Sequence, residues 1–182
     1  MKDWIGICLK NKMEEDFDET PKWKKKVIVI GAIFMILLII SYFFTGYGVS
    51  EIIAGMIESD EINGNVVDNG EFRVIFLEET YGEILEIYNT DLSVETKMCL
   101  LGYFDGDYYV NEVLKPVIYS QEFNQVISEK CPDETLIALH SHPYRKCIAS
   151  EQDLDNLEMS KEVNPNVIVG IICEEDRFNF YS

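Results

Sequence analysis

The chain has 182 residues, with 33 acidic against 15 basic side chains and a formal net charge of −18. Its length suits one domain with a real core plus appendages, and two full domains would be cramped. The charge excludes DNA and RNA as partners, since their phosphates need Lys and Arg to neutralise them.

Residues 1–26 form a polar tail with seven lysines against six acids, so the acidity belongs to the rest of the chain. Residues 27–44, VIVIGAIFMILLIISYFF, carry no charge. As a helix they reach about 27 Å, close to the hydrocarbon thickness of a bilayer. With 45–49 available to lengthen it, a transmembrane helix is expected over 27–49, making the bilayer a partner. Lys22, Lys24, Lys25 and Lys26 stand just before it, and Trp23, Tyr42 and Tyr47 are placed as interfacial anchors. A secretory signal peptide is the rival reading, with Gly46-Tyr47-Gly48 as a loose cleavage site. The length of the apolar run and the long segment before it, which contains EEDFDE, favour a retained single-pass anchor. The lysines predict an exported C-terminal domain, whereas free cysteines and an intracellular substrate would fit the cytoplasm, so the side of the membrane stays open.

Residues 50–70 read as a juxtamembrane linker. In it Ser50 caps a short amphipathic turn bearing Ile52, Ile53, Met56 and Ile57 ahead of the polar ESDEINGN. A globular domain is expected over 71–182. FRVIFLE (72–78) reads as a strand, and TYGEILEIY (80–88) places Tyr81, Ile84, Leu85 and Tyr88 on one helical face. KMCLLGYF (97–104) and YYVNEVL (108–114) flank the hairpin signal Asp105-Gly106-Asp107. EFNQVISE (122–129) reads as a helix, TLIALHS (135–141) as a central strand, and SEQDLDNLEMSKEV (150–163) as a helix. VIVGIIC (167–173) is a second buried strand, and RFNFY (177–181) alternates as an edge or hairpin strand would. The expected fold class is α/β, a sheet flanked by helices.

Five cysteines at irregular spacing, without a C-x-x-C pair, predict neither a disulfide framework nor a thiolate zinc site. Cys99 and Cys173 fall in apolar runs, as core residues do. Cys147 lies between the histidines and Asp153.

Both histidines of the chain stand in one tripeptide, His140-Ser141-His142, at the C-terminal end of the central strand. Alternation along an extended segment puts them on the same face. Catalytic zinc takes three protein ligands and leaves a fourth position for water. Asp153, in the first turn of the next helix, is the natural third ligand. Taken alone, Ser150 to Asp153 reads as a capping box, and H-x-H by itself is a weak signal.

His140-Ser141-His142-Pro143, followed by Ser150 and Asp153 at fixed spacing, resembles the JAMM motif of the MPN-domain metalloproteases. The resemblance covers roughly residues 71–182. It implies a cytidine-deaminase-like sheet sandwiched by helices, with one zinc per chain held by His140, His142 and Asp153. It also implies an upstream glutamate acting as general base toward water, in the pattern E-x6-G. Glu95 with Gly102 fits, although Met98 stands where many relatives carry glycine; Glu78, Glu79 and Glu112 compete for the role. By the same resemblance the Ser150 hydroxyl donates to the developing oxyanion. The expected function is a membrane-anchored zinc-dependent protease or isopeptidase acting on a protein substrate, with ubiquitin-like conjugates among the candidates. The alternative is a non-catalytic MPN-like binding or scaffold module at the membrane. Substrate identity and oligomeric state stay open.

Overall fold

A computed structural model describes residues 21–46, 49–122, 125–143 and 146–182. The polar tail up to Thr20 and the expected anchor Tyr47 lie outside the described residues. Contacts group the chain into two units that divide between Gly48 and Val49.

The first unit contains helix α1 (Lys22–Gly46). Its apolar side chains are exposed all round, from Val27 to Phe44. The 23 residues Lys22–Phe44 are long and apolar enough to cross a membrane, about 35 Å at the helical rise. The helix starts inside the lysine cluster, earlier than the uncharged run alone suggests.

The second unit begins with α2 (Val49–Glu58), β1 (Asp60–Glu61) and β2 (Val66–Asp68). The stretch expected as a linker is therefore built into the sheet: β1 pairs with the last strand and β2 with β3 (Arg73–Phe76). Strands of two and three residues are too short to leave a period in the sequence.

Helix α3 (Thr80–Tyr88) comes next, then the hairpin β4 (Lys97–Phe104) and β5 (Tyr108–Leu114). Gly106 at the hairpin tip has φ of 77°, which the tight turn requires and glycine permits. The expected helix at 122–129 is instead part of a separate two-stranded sheet, β6 (Ile118–Glu122) and β7 (Gln125–Ser128). Adjacent Val126 and Ile127 favour the extended chain, and that preference prevails over a helical spacing only eight residues long. The chain closes with β8 (Ile137–Ser141), α4 (Glu151–Lys161), β9 (Ile168–Glu174) and β10 (Arg177–Tyr181).

The main sheet has eight strands in the order β1-β10-β9-β8-β4-β5-β3-β2. β8 is central, antiparallel to β4 and parallel to β9. β10 forms an antiparallel hairpin with β9, one of its two expected settings, and is not the edge, because β1 covers it. Alternation along β9 divides the core. Ile168 and Ile172 join Ile84 and Tyr88 of α3 on one face, while Val169 and Ile171 pack with Leu157 of α4 on the other. The body is thus a mixed α/β layer, mostly sheet with helices on both faces.

The cysteine expectation is overturned. Cys99 pairs with Cys131, and Cys147 with Cys173, with Cα atoms 5.6 and 5.4 Å apart, inside the range a disulfide spans. The pairs join residues 32 and 26 positions apart, so local spacing carried no sign of them.

Candidate metal centre

The end of β8 is held from both sides. The Thr96 amide donates to Ser141 Oγ at 2.9 Å, and the Ser141 amide donates to the Thr96 carbonyl at 2.8 Å. This reciprocal pair fixes His140 and His142 on one strand and Glu95 beside them on the neighbouring chain segment. Gln121 of β6 donates to the Glu95 carbonyl at 2.5 Å and to Thr96 Oγ1 at 3.2 Å, and the Glu95 amide reaches the Glu122 carbonyl. The β6–β7 hairpin therefore anchors the glutamate segment.

Asp153 arrives from the other direction. Ser150 caps α4, and Asp153 returns the bond, completing a capping box. The loop before the cap is tied to β10: Asn179 Nδ2 donates to the Cys147 carbonyl at 2.7 Å, and the Ala149 amide donates to the Tyr181 hydroxyl at 3.2 Å. Glycine is required at position 55 of α2, where a Cβ would come within 2.7 Å of the Cys147 amide. Gln121, Asn179, Tyr181 and Gly55 carry no sign of these roles in the sequence. Their only signal is long-range proximity, apart from the alternation that puts Asn179 and Tyr181 on one side of β10.

These supports bring four of the expected site residues together. His140 Nε2 lies 3.1 Å from His142 Nε2 and 3.3 Å from Asp153 Oδ2, and His142 Nε2 lies 3.8 Å from the same oxygen. A tetrahedral ion with arms of 2.0–2.1 Å has ligand–ligand edges of about 3.3 Å, and these separations bracket that value. The group His140, His142 and Asp153 can hold a metal ion. Glu95 Oε1 stands 3.2 Å from His142 Nε2, beside the donor set. Ser150, the fifth, donates its hydroxyl to Asp153 Oδ2 at 2.6 Å. Of the competing glutamates, Glu79 precedes α3, Glu78 has a left-handed φ of 53°, and Glu112 is exposed on β5; none of them joins the cluster.

The electrostatics suit a cation. Burial, helped by the charge of His140, pushes His142 down to about 4, so its ring is neutral near pH 7 and offers a lone pair. Burial alone would push Asp153 up. The hydrogen bond and charge of His140, with two bonds from Ser150, overcome it and hold the carboxyl well below the usual carboxylate range. Glu95 is raised by burial, and the Asp153 charge adds to this against the opposing His140. Lys97, two residues on, is lowered by burial.

A cleft of about 480 Å³ opens from this cluster. Glu95, His140, Ser150 and Asp153 lie at one end, and the cleft continues between α4 and the segment 126–135 to Asn164. Compared with family models and with curated proteins, the chain matches none.

Proposed function

We propose that the chain is a zinc-dependent peptidase or isopeptidase of the JAMM type, in which the sheet body is an MPN-like domain and α1 a retained single-pass anchor. The observation that carries this reading is the meeting of His140, His142, Asp153 and Glu95 in one cluster, with His140, Asp153 and Glu95 lining the cleft. When bound, zinc at such a site supplies Lewis acidity toward a carbonyl and lowers the pKa of water toward neutrality.

The protein's own groups do the rest. Glu95 takes a proton from water on one carboxylate oxygen and delivers it to the leaving amine. Burial strengthens its hold on that proton between the two transfers. The Ser150 hydroxyl turns from Asp153 to donate to the developing oxyanion. Neither Ser150 nor Cys147 suits a nucleophile's role: both histidines belong to the donor set, and the Cys147 sulfur is paired with Cys173.

Two independent features favour the non-cytoplasmic side for the catalytic body. Lys22, Lys24, Lys25 and Lys26 stand at the start of α1, ahead of its uncharged run, and no Lys or Arg occurs after them until Arg73. Four of the five cysteines pair off within the body, as they do in oxidising compartments. This placement favours an exported or surface protein as substrate over a ubiquitin-like conjugate.

The deciding experiment is zinc per chain in the purified protein, together with hydrolysis of a quenched peptide library by parent and Glu95→Gln. One zinc, with turnover lost in the variant, supports the reading. Zinc-free folded protein after incubation with the metal overturns it and leaves the scaffold alternative.

A further inference from the structure

Lys97 begins β4 directly opposite His140 of β8 in the antiparallel register. Side chains directly opposite in such a pair stand on the same face, with Cβ atoms about 5 Å apart. Lys97 therefore stands beside a metal-donor histidine, and it lines the same cleft. Among the described residues no carboxylate lies in ion-pair range of its amine. The other lysine of the cleft, Lys130, is already paired with Asp133 at 3.0 Å. Glu95 and Asp153 are engaged with the histidines.

A half-buried ammonium without a counter-ion is costly in a folded protein. In a chain of net charge −18 its lack of an ion pair among the described residues is a marked local exception. A second group in the cleft wall is also unmatched: Thr135 Oγ1 is buried without a hydrogen-bond partner. Thr135 lies five residues before His140, roughly 16 Å at the strand rise. The cleft is long enough for a short extended peptide that starts at the metal donors and passes Lys97 first.

We propose that Lys97 is a specificity-determining residue that binds a substrate carboxylate within one or two residues of the scissile bond. The inference rests on the peptidase reading of the same site. The carboxylate belongs either to an Asp or Glu side chain or to a free C-terminus, and both present the same chemistry to the ammonium. In a chain of net charge −18, Lys97 supplies the local attraction that favours either one.

The test uses the zinc-loaded full-length protein in detergent and two probes, succinic acid monohydroxamate and its terminal amide, titrated calorimetrically. The hydroxamate of both reports access to the metal; only the acid offers Lys97 an anion. The acid-to-amide affinity ratio should be about tenfold higher in the parent than in Lys97→Met, the worth of one charge-assisted hydrogen bond, and Lys97→Arg should restore most of it. The metal's own charge acts equally in all three proteins. A ratio unchanged within twofold between parent and Lys97→Met overturns the role of Lys97 while leaving the metal site standing. Failure of both probes to bind overturns the open metal cleft and the proposal with it. Quenched peptides bearing either a Glu beside the scissile bond and an amidated end, or neutral side chains and a free end, then identify the source of the carboxylate. Cleavage of both at rates indifferent to Lys97→Met likewise overturns the proposal.

Discussion

Asp153 Oδ2 accepts both the backbone amide of Ser150, at 2.7 Å, and its hydroxyl, at 2.6 Å, while lying 3.3 Å from His140 Nε2. One carboxylate oxygen thus serves a helix cap and a candidate metal site. Capping and ligation are not rivals here: the cap fixes the carboxylate's direction, and the start of α4 fixes its distance from β8.

That sharing separates two substitutions. Ser150→Ala removes the cap side chain, and thermal unfolding should report a loss of about 1 kcal/mol, with zinc still bound. Asp153→Asn keeps a capping oxygen but removes the charge of a direct ligand, so zinc affinity in a chelator competition should fall by more than the roughly 10- to 100-fold typical of a lost partner outside the ligand set. Equal zinc affinity in the two variants would contradict Asp153 as a ligand.

Glu95→Gln is nearly isosteric and retains the backbone bonds to Gln121 and Glu122. Zinc content should stay at the parent's level, while the hydrolysis rate falls by about 10²- to 10⁴-fold, the usual range for a general base. Loss of zinc with the rate would instead make Glu95 a ligand.

Much of this site was legible because its parts lie close together in the chain or have a periodic pattern. The boundaries of β4 and β5, and the existence of α3, β8, α4 and β9, are set by apolar runs and by punctuation such as Asp105-Gly106-Asp107. His140, His142, Ser150 and Asp153 form one local pattern. What escaped was long-range. The β6–β7 hairpin was hidden by a spacing that suits either element, and β1 and β2 were too short to show alternation. The cysteine pairs join segments whose meeting is decided only by the strand order. Met98, the departure from the glycine of the resembled pattern, is fully buried opposite Leu139 and faces the core away from Lys97, so the strand accommodates it without disturbing the site.

Gly102 tests the strand that begins at Lys97, two residues after Glu95. The register of β4 with β5 shifts between Leu101 and Gly102, and a Cβ at 102 would lie 1.8 Å from the Tyr109 carbonyl oxygen. Gly102→Ala must push two strands apart. The cost should exceed the 1–3 kcal/mol of ordinary overpacking, seen as a large drop in Tm or as insoluble protein. Gly106→Ala at the exposed hairpin tip, where nothing lies within 4 Å of an added Cβ, should strain only its own φ and cost less. A Gly102→Ala protein as stable as the parent would contradict the bulge.

Asn179 provides a loop test that leaves every donor in place. Its amide satisfies the buried Cys147 carbonyl and also reaches the Tyr181 hydroxyl at 2.8 Å, and Tyr181 in turn holds Ala149 just before the Ser150 cap. Asn179→Ala leaves that carbonyl without its partner, at a cost of about 1–3 kcal/mol, and loosens the loop that aims Asp153. Zinc affinity should therefore fall together with Tm, although no ligand has been touched. Asn179→Asp distinguishes placement from bulk: its shape is kept, but an ionised carboxylate cannot donate to the carbonyl, so it should resemble Asn179→Ala. If zinc binding in both variants equals the parent's while Tm drops, the loop is held at the metal site by α2 and the Cys147–Cys173 link alone, and Asn179 serves only the fold.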